Sequence, residues 1–154
     1  MILLYLLIIK SNLIVMSQTD KDKQSKIQYY EKGVQEPWFS LIKNGKKTVE
    51  GRLNKGDFSK MKKGDIVTWV NNIKVTKNGK TKTLRKEVKT KITGVADYSS
   101  FYQMIKTERL KNTLPVPELK TIQQGVDNVY YKFYKPKDEK EKGVKAIRVQ
   151  VIKK

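Results

Sequence analysis

The chain has no cysteine and no histidine among its 154 residues. The first absence excludes a disulfide scaffold, and the two together exclude zinc or iron held by Cys or His ligands. Losing histidine also removes the usual general base, so any catalysis must use Lys, Asp, Glu, Tyr, Ser or Thr. No metal and no cofactor is expected. Arginine is scarce as well: of 34 basic residues only Arg52, Arg85, Arg109 and Arg148 are arginines. Acidic residues number 15, which leaves a net charge of +19. An excess of that size favours a polyanionic partner through phosphate neutralisation and counterion release. Part of it has a blander origin, because a Lys-, Asn- and Ile-rich sequence is what AT-rich coding produces, and solvated lysines also serve solubility.

A long apolar run is missing too. Residues 1–16 are apolar but are broken by Lys10, Ser11 and Asn12. They lack a basic leader and a small-residue cleavage site, and they are short for a membrane span. Met16 precedes the polar stretch Ser17–Lys23. It is the expected initiator of an intracellular, cytoplasmic protein, with a short membrane anchor at residues 1–15 as the alternative. Residues 1–26 read as an apolar and then charged, disordered extension. Residues 27–152 read as one domain, large enough for its own core.

Within that domain, Pro37 suits the start of a short helix whose face holds Trp38, Leu41 and Ile42, with Asn44-Gly45 as its cap. Residues 47–53 read as a strand, and the turn Lys63-Gly64-Asp65 leads into a buried strand over 66–70. Asn78-Gly79 is a hairpin signal between strands at 73–76 and about 81–95. Ser100-x-x-Gln103 and Thr121-x-x-Gln124 are helix starts. The second opens a helix carrying Ile122, Val126, Val129, Tyr130 and Phe133, ending before Pro136. Residues 137–142 form a charged turn or short helix closed by Gly143, and alternation over 147–151 marks a final strand. The fold class is α+β, and the short strands with tight turns suggest a small mixed β-barrel with flanking helices.

Gly45-Lys46-Lys47-Thr48-Val49-Glu50-Gly51-Arg52 matches Gly-x-Lys-x-x-Glu-x-Arg at every fixed position. That signature, with Glu36-Pro37-Trp38-Phe39 before it and Lys63-Gly64-Asp65-Ile66, Tyr98–Phe101 and 143–149 after it, resembles the ASCH family over residues 27–152. The resemblance implies a PUA-like barrel and RNA binding. Some small members look like amidohydrolases acting on N4-acetylcytidine, and others have been proposed as nucleases. In the amidohydrolases the working set is Lys, Thr and Glu. Lys47 matches the first, Glu50 stands where the Thr would be, and Glu108 and Glu118 are candidates for the third. Thr48 shares the strand face but lies two positions early, so the proposed nucleophile is missing.

The physics of the segment stands beside that likeness. Strand alternation puts Thr48, Glu50 and Arg52 on one face and Val49, Gly51 and Leu53 on the other. Lys47, at the mouth of a cleft, would hold Glu50 ionised and reach a phosphate or carbonyl oxygen. The expected ligand-binding residues are Lys47, Thr48, Glu50 and Arg52, with Lys47 and Glu50 catalytic if the protein is an enzyme. An ordinary Glu-Arg pair on a solvated strand is the bland alternative. Trp38, Trp69, Tyr130 and Phe133 read as core, while Tyr29, Tyr30, Tyr98 and Tyr102 are candidate stacking rings. Asn71-Asn72 reads as a turn whose amides could meet a base edge. The lysines of 74–91 read as a solvated face that steers RNA. The expected partner is RNA, a nucleoside or a nucleotide. The competing classes are a hydrolase of acylated nucleosides or RNA, and a lysine-rich regulatory partner.

Overall fold

The computed structural model describes residues 25–153. The apolar segment at 1–15 lies outside the described residues, and among those described no helix is long and apolar enough to cross a membrane. The fold is mixed α+β. Five strands, β1 (Tyr29–Gly33), β2 (Val49–Leu53), β3 (Ile66–Lys77), β4 (Lys80–Tyr98) and β5 (Val144–Val151), form one sheet in the order β1-β3-β4-β5-β2. Only the β1–β3 pairing is parallel.

The hairpin forms at Asn78-Gly79, where both residues take positive φ, 51° and 72°. Two successive positive-φ residues make the turn that follows the twist of its strands. The long second strand expected at about 81–95 runs Lys80–Tyr98, and the first is much longer than expected, Ile66–Lys77 in one piece. β3 runs on through Asn71-Asn72, which are strand rather than turn, because its partner continues unbroken from Lys86 and Arg85. β4 serves two neighbours by a register shift between Ile92 and Gly94, which bends it from β3 towards β5.

The expected closed barrel does not form. β1 and β2 are the two edges of the sheet, and no ladder joins them. β1 itself has no counterpart in the sequence reading, since five half-exposed residues carry too weak an alternation.

Two apolar clusters hold the sheet. One contains Phe39, Ile42, Met61, Val67, Trp69, Ile92 and Ile147, and Phe39 and Ile42 bring it helix α1 (Trp38–Lys43). Phe58, of the single turn α2 (Asp57–Lys60), packs against the same cluster. The other cluster joins Val49, Leu53, Val144 and Ala146 to α3 (Phe101–Glu108), α4 (Leu110–Thr113) and α5 (Ile122–Asn128). Alternation sorts the residues: Val49, Gly51 and Leu53 face the helices, while Glu50 and Arg52 face the Trp69 side. Ser100 caps α3, and Thr121 and Gln124 form a full capping box on α5.

The second long helix breaks earlier than its apolar spacing suggests. α5 stops at Asn128, and Tyr130–Lys132 form a single 3-10 turn. Across that turn Tyr130 and Tyr134 both stack on Phe101, at 4.1 Å and 5.2 Å between centroids. The last helix, α6 (Pro136–Lys142), ends at Gly143 with φ 69°, where β5 begins.

Candidate functional site

The gap between the edge strands is a cavity of about 420 Å³. Its walls come from the end of β1 and the segment after it (Gly33, Val34, Gln35), from β2 (Glu50, Gly51, Arg52) and from β3 (Val70, Asn71, Asn72). Trp38, Leu114 and the turn residues Val129, Tyr130, Phe133 and Tyr134 complete it. Among the described residues its charged lining side chains are Lys47, Glu50 and Arg52, two cationic types and one acidic.

Local structure fixes where Lys47 stands. Asn44 caps α1 and accepts from the Lys46 amide, Gly45 turns the chain at φ 77°, and the Lys47 amide bonds back to the Leu41 carbonyl. The side chain is therefore directed inward, only 2 % exposed. Its ammonium donates to the carbonyls of Val49 (2.8 Å) and Thr113 and lies 3.1 Å from Glu50 Oε2. It also sits 5.6 Å from the centroid of the Trp38 ring. An ammonium has three donors, and these three partners account for all of them. Lys47 is thus an anchored cation, not the free arm expected at the mouth.

Glu50 sits between two cations. Arg52 Nε donates to its other oxygen at 2.8 Å, and Arg52 Nη2 reaches the Gly33 carbonyl at 3.0 Å. That last bond bridges the two unladdered edges of the sheet. The guanidinium rests over Phe58 and Trp69, with its carbon 5.1 Å and 5.9 Å from the ring centroids. Burial alone would raise the Glu50 carboxyl, but the charges and hydrogen bonds of Lys47 and Arg52 hold it below the ordinary carboxylate value. Burial pushes the Lys47 ammonium down, against the pull of Glu50. For Arg52 burial is outweighed by Glu50, and its pKa rises. The site is a carboxylate held between an ammonium and a guanidinium.

The structure gathers Lys47, Glu50 and Arg52 in one wall. Thr48 is half-buried outside the cavity lining, with its backbone bonded to Asn112 and Val149. Neither candidate for a third acid is there. Glu108 is held by Arg148 at 2.9 Å and 2.5 Å and by the Tyr98 hydroxyl at 2.7 Å, and Glu118 is exposed. Tyr29, Tyr30, Tyr98 and Tyr102 all lie outside the lining. The rings that do line it are Trp38, Tyr130, Phe133 and Tyr134. The core reading holds for Tyr130, which is buried in the cluster with Phe101, and fails for Phe133, which is exposed; nothing in their helix-like spacing signals the 3-10 turn that brings both to the seam. Asn71, buried in the lining, donates its amide to Glu36 at 3.4 Å, and Glu36 accepts from Ser40 in α1.

Comparison with known proteins places this geometry. The sequence profile of the ASCH domain matches residues 33–153. The chain belongs to the ASCH domain family. It is similar to the crystal structure of hypothetical protein PH0355, of Pyrococcus origin, at 38% identity and a TM-score of 0.65, over 81% of this chain and all of that one. It also resembles the solution NMR structure of protein PF0455 from Pyrococcus furiosus, at 31% identity and a TM-score of 0.60, over 82% of this chain and all of that one. No curated protein matches significantly. The profile begins at Gly33, where the cavity wall begins, so the matched region of this ASCH domain contains every residue of the site.

Proposed function

We propose that this ASCH domain is a cytoplasmic binding module that takes RNA or a modified nucleoside into the seam cavity. The observation that carries the reading is the side-by-side placement of Glu50 and Arg52 in the cavity wall. A carboxylate beside a guanidinium offers an acceptor next to donors. That pattern complements a base edge that carries an amino group beside a ring nitrogen or carbonyl. The cavity has the size of a small-ligand site and is lined by aromatic rings, as such sites usually are. Binding is favoured over hydrolysis because Lys47 has no donor left for an oxyanion and Glu50, with both oxygens engaged and its pKa depressed, is a weak base.

The β3–β4 hairpin supports the same reading. From Lys74 to Glu87 it stands exposed, with Lys77, Lys80, Lys82 and Lys86 on one face and Lys74 on the other. Cross-strand pairs share a face, and strand alternation puts Asn71 on the same face as those four lysines. A strand entering the cavity would meet that cationic face. The test is binding of labelled single-stranded RNA at rising salt. Affinity should fall steeply, and charge reversal at Lys80, Lys82 and Lys86 should weaken all sequences alike. RNA affinity that is flat with salt, or absent, with turnover of N4-acetylcytidine instead, overturns the reading.

A further inference from the structure

Phe133 is the exception among the cavity's rings. Its neighbours in the turn tuck inward: Tyr130 is 5 % exposed, and Tyr134 packs on Phe101. Phe133 is 60 % exposed, at the cavity's edge. An apolar ring left in water gains nothing for the fold there. Nor is it a floppy ring on a loose loop. The Phe133 and Tyr134 amides both bond to the Tyr130 carbonyl, at 3.0 Å and 2.9 Å, and the Phe101 stack anchors the turn from beneath.

A second observation lies in the same wall. The Tyr130 hydroxyl is buried and has no hydrogen-bond partner among the described residues. A buried polar atom without a partner is costly and uncommon in a folded protein. The cavity wall thus combines an exposed, fixed aromatic face with the Glu50–Arg52 fork, and the unpartnered hydroxyl lies buried beside Gly51. A phosphate has no use for an apolar stacking face. A planar heterocycle uses a stacking face and a hydrogen-bonding edge together.

We propose that Phe133 is the specificity-determining platform of the site, and that the cavity takes one unstacked nucleobase with its face on Phe133 and its edge turned to Glu50 and Arg52. This rests on the nucleobase reading above and adds which residue enforces it. The base comes either from a free nucleoside or from a single strand, since inside a duplex its face is covered by its neighbours. The lysine-bearing hairpin then holds phosphates without reading sequence.

The experiment uses the full chain, its Phe133→Ala and Phe133→Trp variants, and three probes: a labelled 12-nucleotide single-stranded RNA, a ribose-phosphate chain of the same length without bases, and a mixture of the four free nucleosides. Phe133→Ala should weaken the RNA on the order of ten-fold. It should leave the baseless chain unchanged, and Phe133→Trp should restore binding. Melting temperatures should match wild type, because the ring is mostly exposed. Displacement of the RNA by the free nucleosides identifies the nucleoside as sufficient ligand. Resistance to displacement assigns the base to a strand. If wild type prefers RNA to the baseless chain but Phe133→Ala keeps that preference, Phe133 is not the platform and only this inference falls. If wild type binds the two chains equally, or binds neither chain and no free nucleoside, the nucleobase reading itself falls.

Discussion

Glu50→Gln is the substitution that most directly probes the charge arrangement in the seam. It keeps the shape and removes one charge, leaving Lys47 and Arg52 as neighbouring cations with no carboxylate between them. Removing one partner from a buried ion pair costs about 3–5 kcal/mol, because the remaining charge stays desolvated. Two features place this case at the low end. Lys47 keeps the Val49 and Thr113 carbonyls and exchanges the carboxylate oxygen for the glutamine oxygen. Arg52 keeps the Gly33 carbonyl, and a fifth of its side chain is in contact with water. The expected loss is about 3 kcal/mol, equivalent to a fall in Tm of about 10 °C for a domain of this size.

The loss has a pH signature whose sign follows from the two shifts. Glu50 has a depressed folded-state pKa, so its contribution is complete above the ordinary value of 4.5 and disappears as pH falls through the depressed one. The deficit of the variant should therefore shrink in acid. Lys47 has a lowered pKa, so between that value and its ordinary 10.5 the folded state binds fewer protons than the unfolded one, and stability climbs with pH. Without Glu50 opposing the shift, that window widens in the variant, and the deficit should shrink in alkali too. Urea denaturation across pH measures both limbs. The double variant Glu50→Gln with Lys47→Met removes the stranded cation as well and should recover part of the loss. A loss below about 1 kcal/mol, the size of an exposed pair, or a Lys47→Met effect that simply adds, refutes this account.

Two further substitutions test the surroundings. In Gly51→Ala the new methyl would lie 2.5 Å from Met104 Cε, 2.7 Å from its Sδ and 2.9 Å from the Tyr130 hydroxyl. Met104 is fully buried, so overpacking should cost about 1–3 kcal/mol, seen as a lower urea midpoint with an unchanged slope; wild-type stability would show that the wall yields. Glu108 is pulled upward by burial but held below its ordinary 4.5 by Arg148 and Tyr98, so its contribution too is present above 4.5 and lost below. Glu108→Gln should flatten the acid limb of the stability profile, and a limb as steep as wild type's would contradict the assignment.

The parts legible in the sequence were those whose cause is local. The positive-φ pair at Asn78-Gly79, the Ser100 cap, the Thr121–Gln124 box and the stop at Gly143 each depend on a few adjacent residues. The pairing of Glu50 with Arg52 follows from strand alternation and was legible for the same reason. The illegible parts depend on distant partners. Lys47 reads as a free arm at the cleft mouth because one of its acceptors, the Thr113 carbonyl, comes 66 residues later. β1 was hidden because its support comes from β3, 37 residues on in register, rather than from a hairpin next to it. The break after Asn128 escapes periodicity because Val129, Tyr130 and Phe133 keep helical spacing on paper. In space the Phe101 stack draws Tyr130 in and leaves Phe133 out.

The open seam explains why these distant dependencies converge on one place. An edge strand exposes unpaired amides and carbonyls, and a sheet with two such edges must protect both. Here the edges face one another across the cavity, and Arg52, held by Glu50, spans them at the Gly33 carbonyl. A backbone ladder between β1 and β2 would satisfy the same groups but would fill the gap. A side-chain bridge satisfies one of them and keeps the space. The residues that replace the missing ladder are also the ones whose donors and acceptor line that space, so on the proposed function the Gly-x-Lys-x-x-Glu-x-Arg segment carries a structural and a recognition demand at once. Lys47 meets the first, fixing Glu50 and the Thr113 turn, and Arg52 meets both.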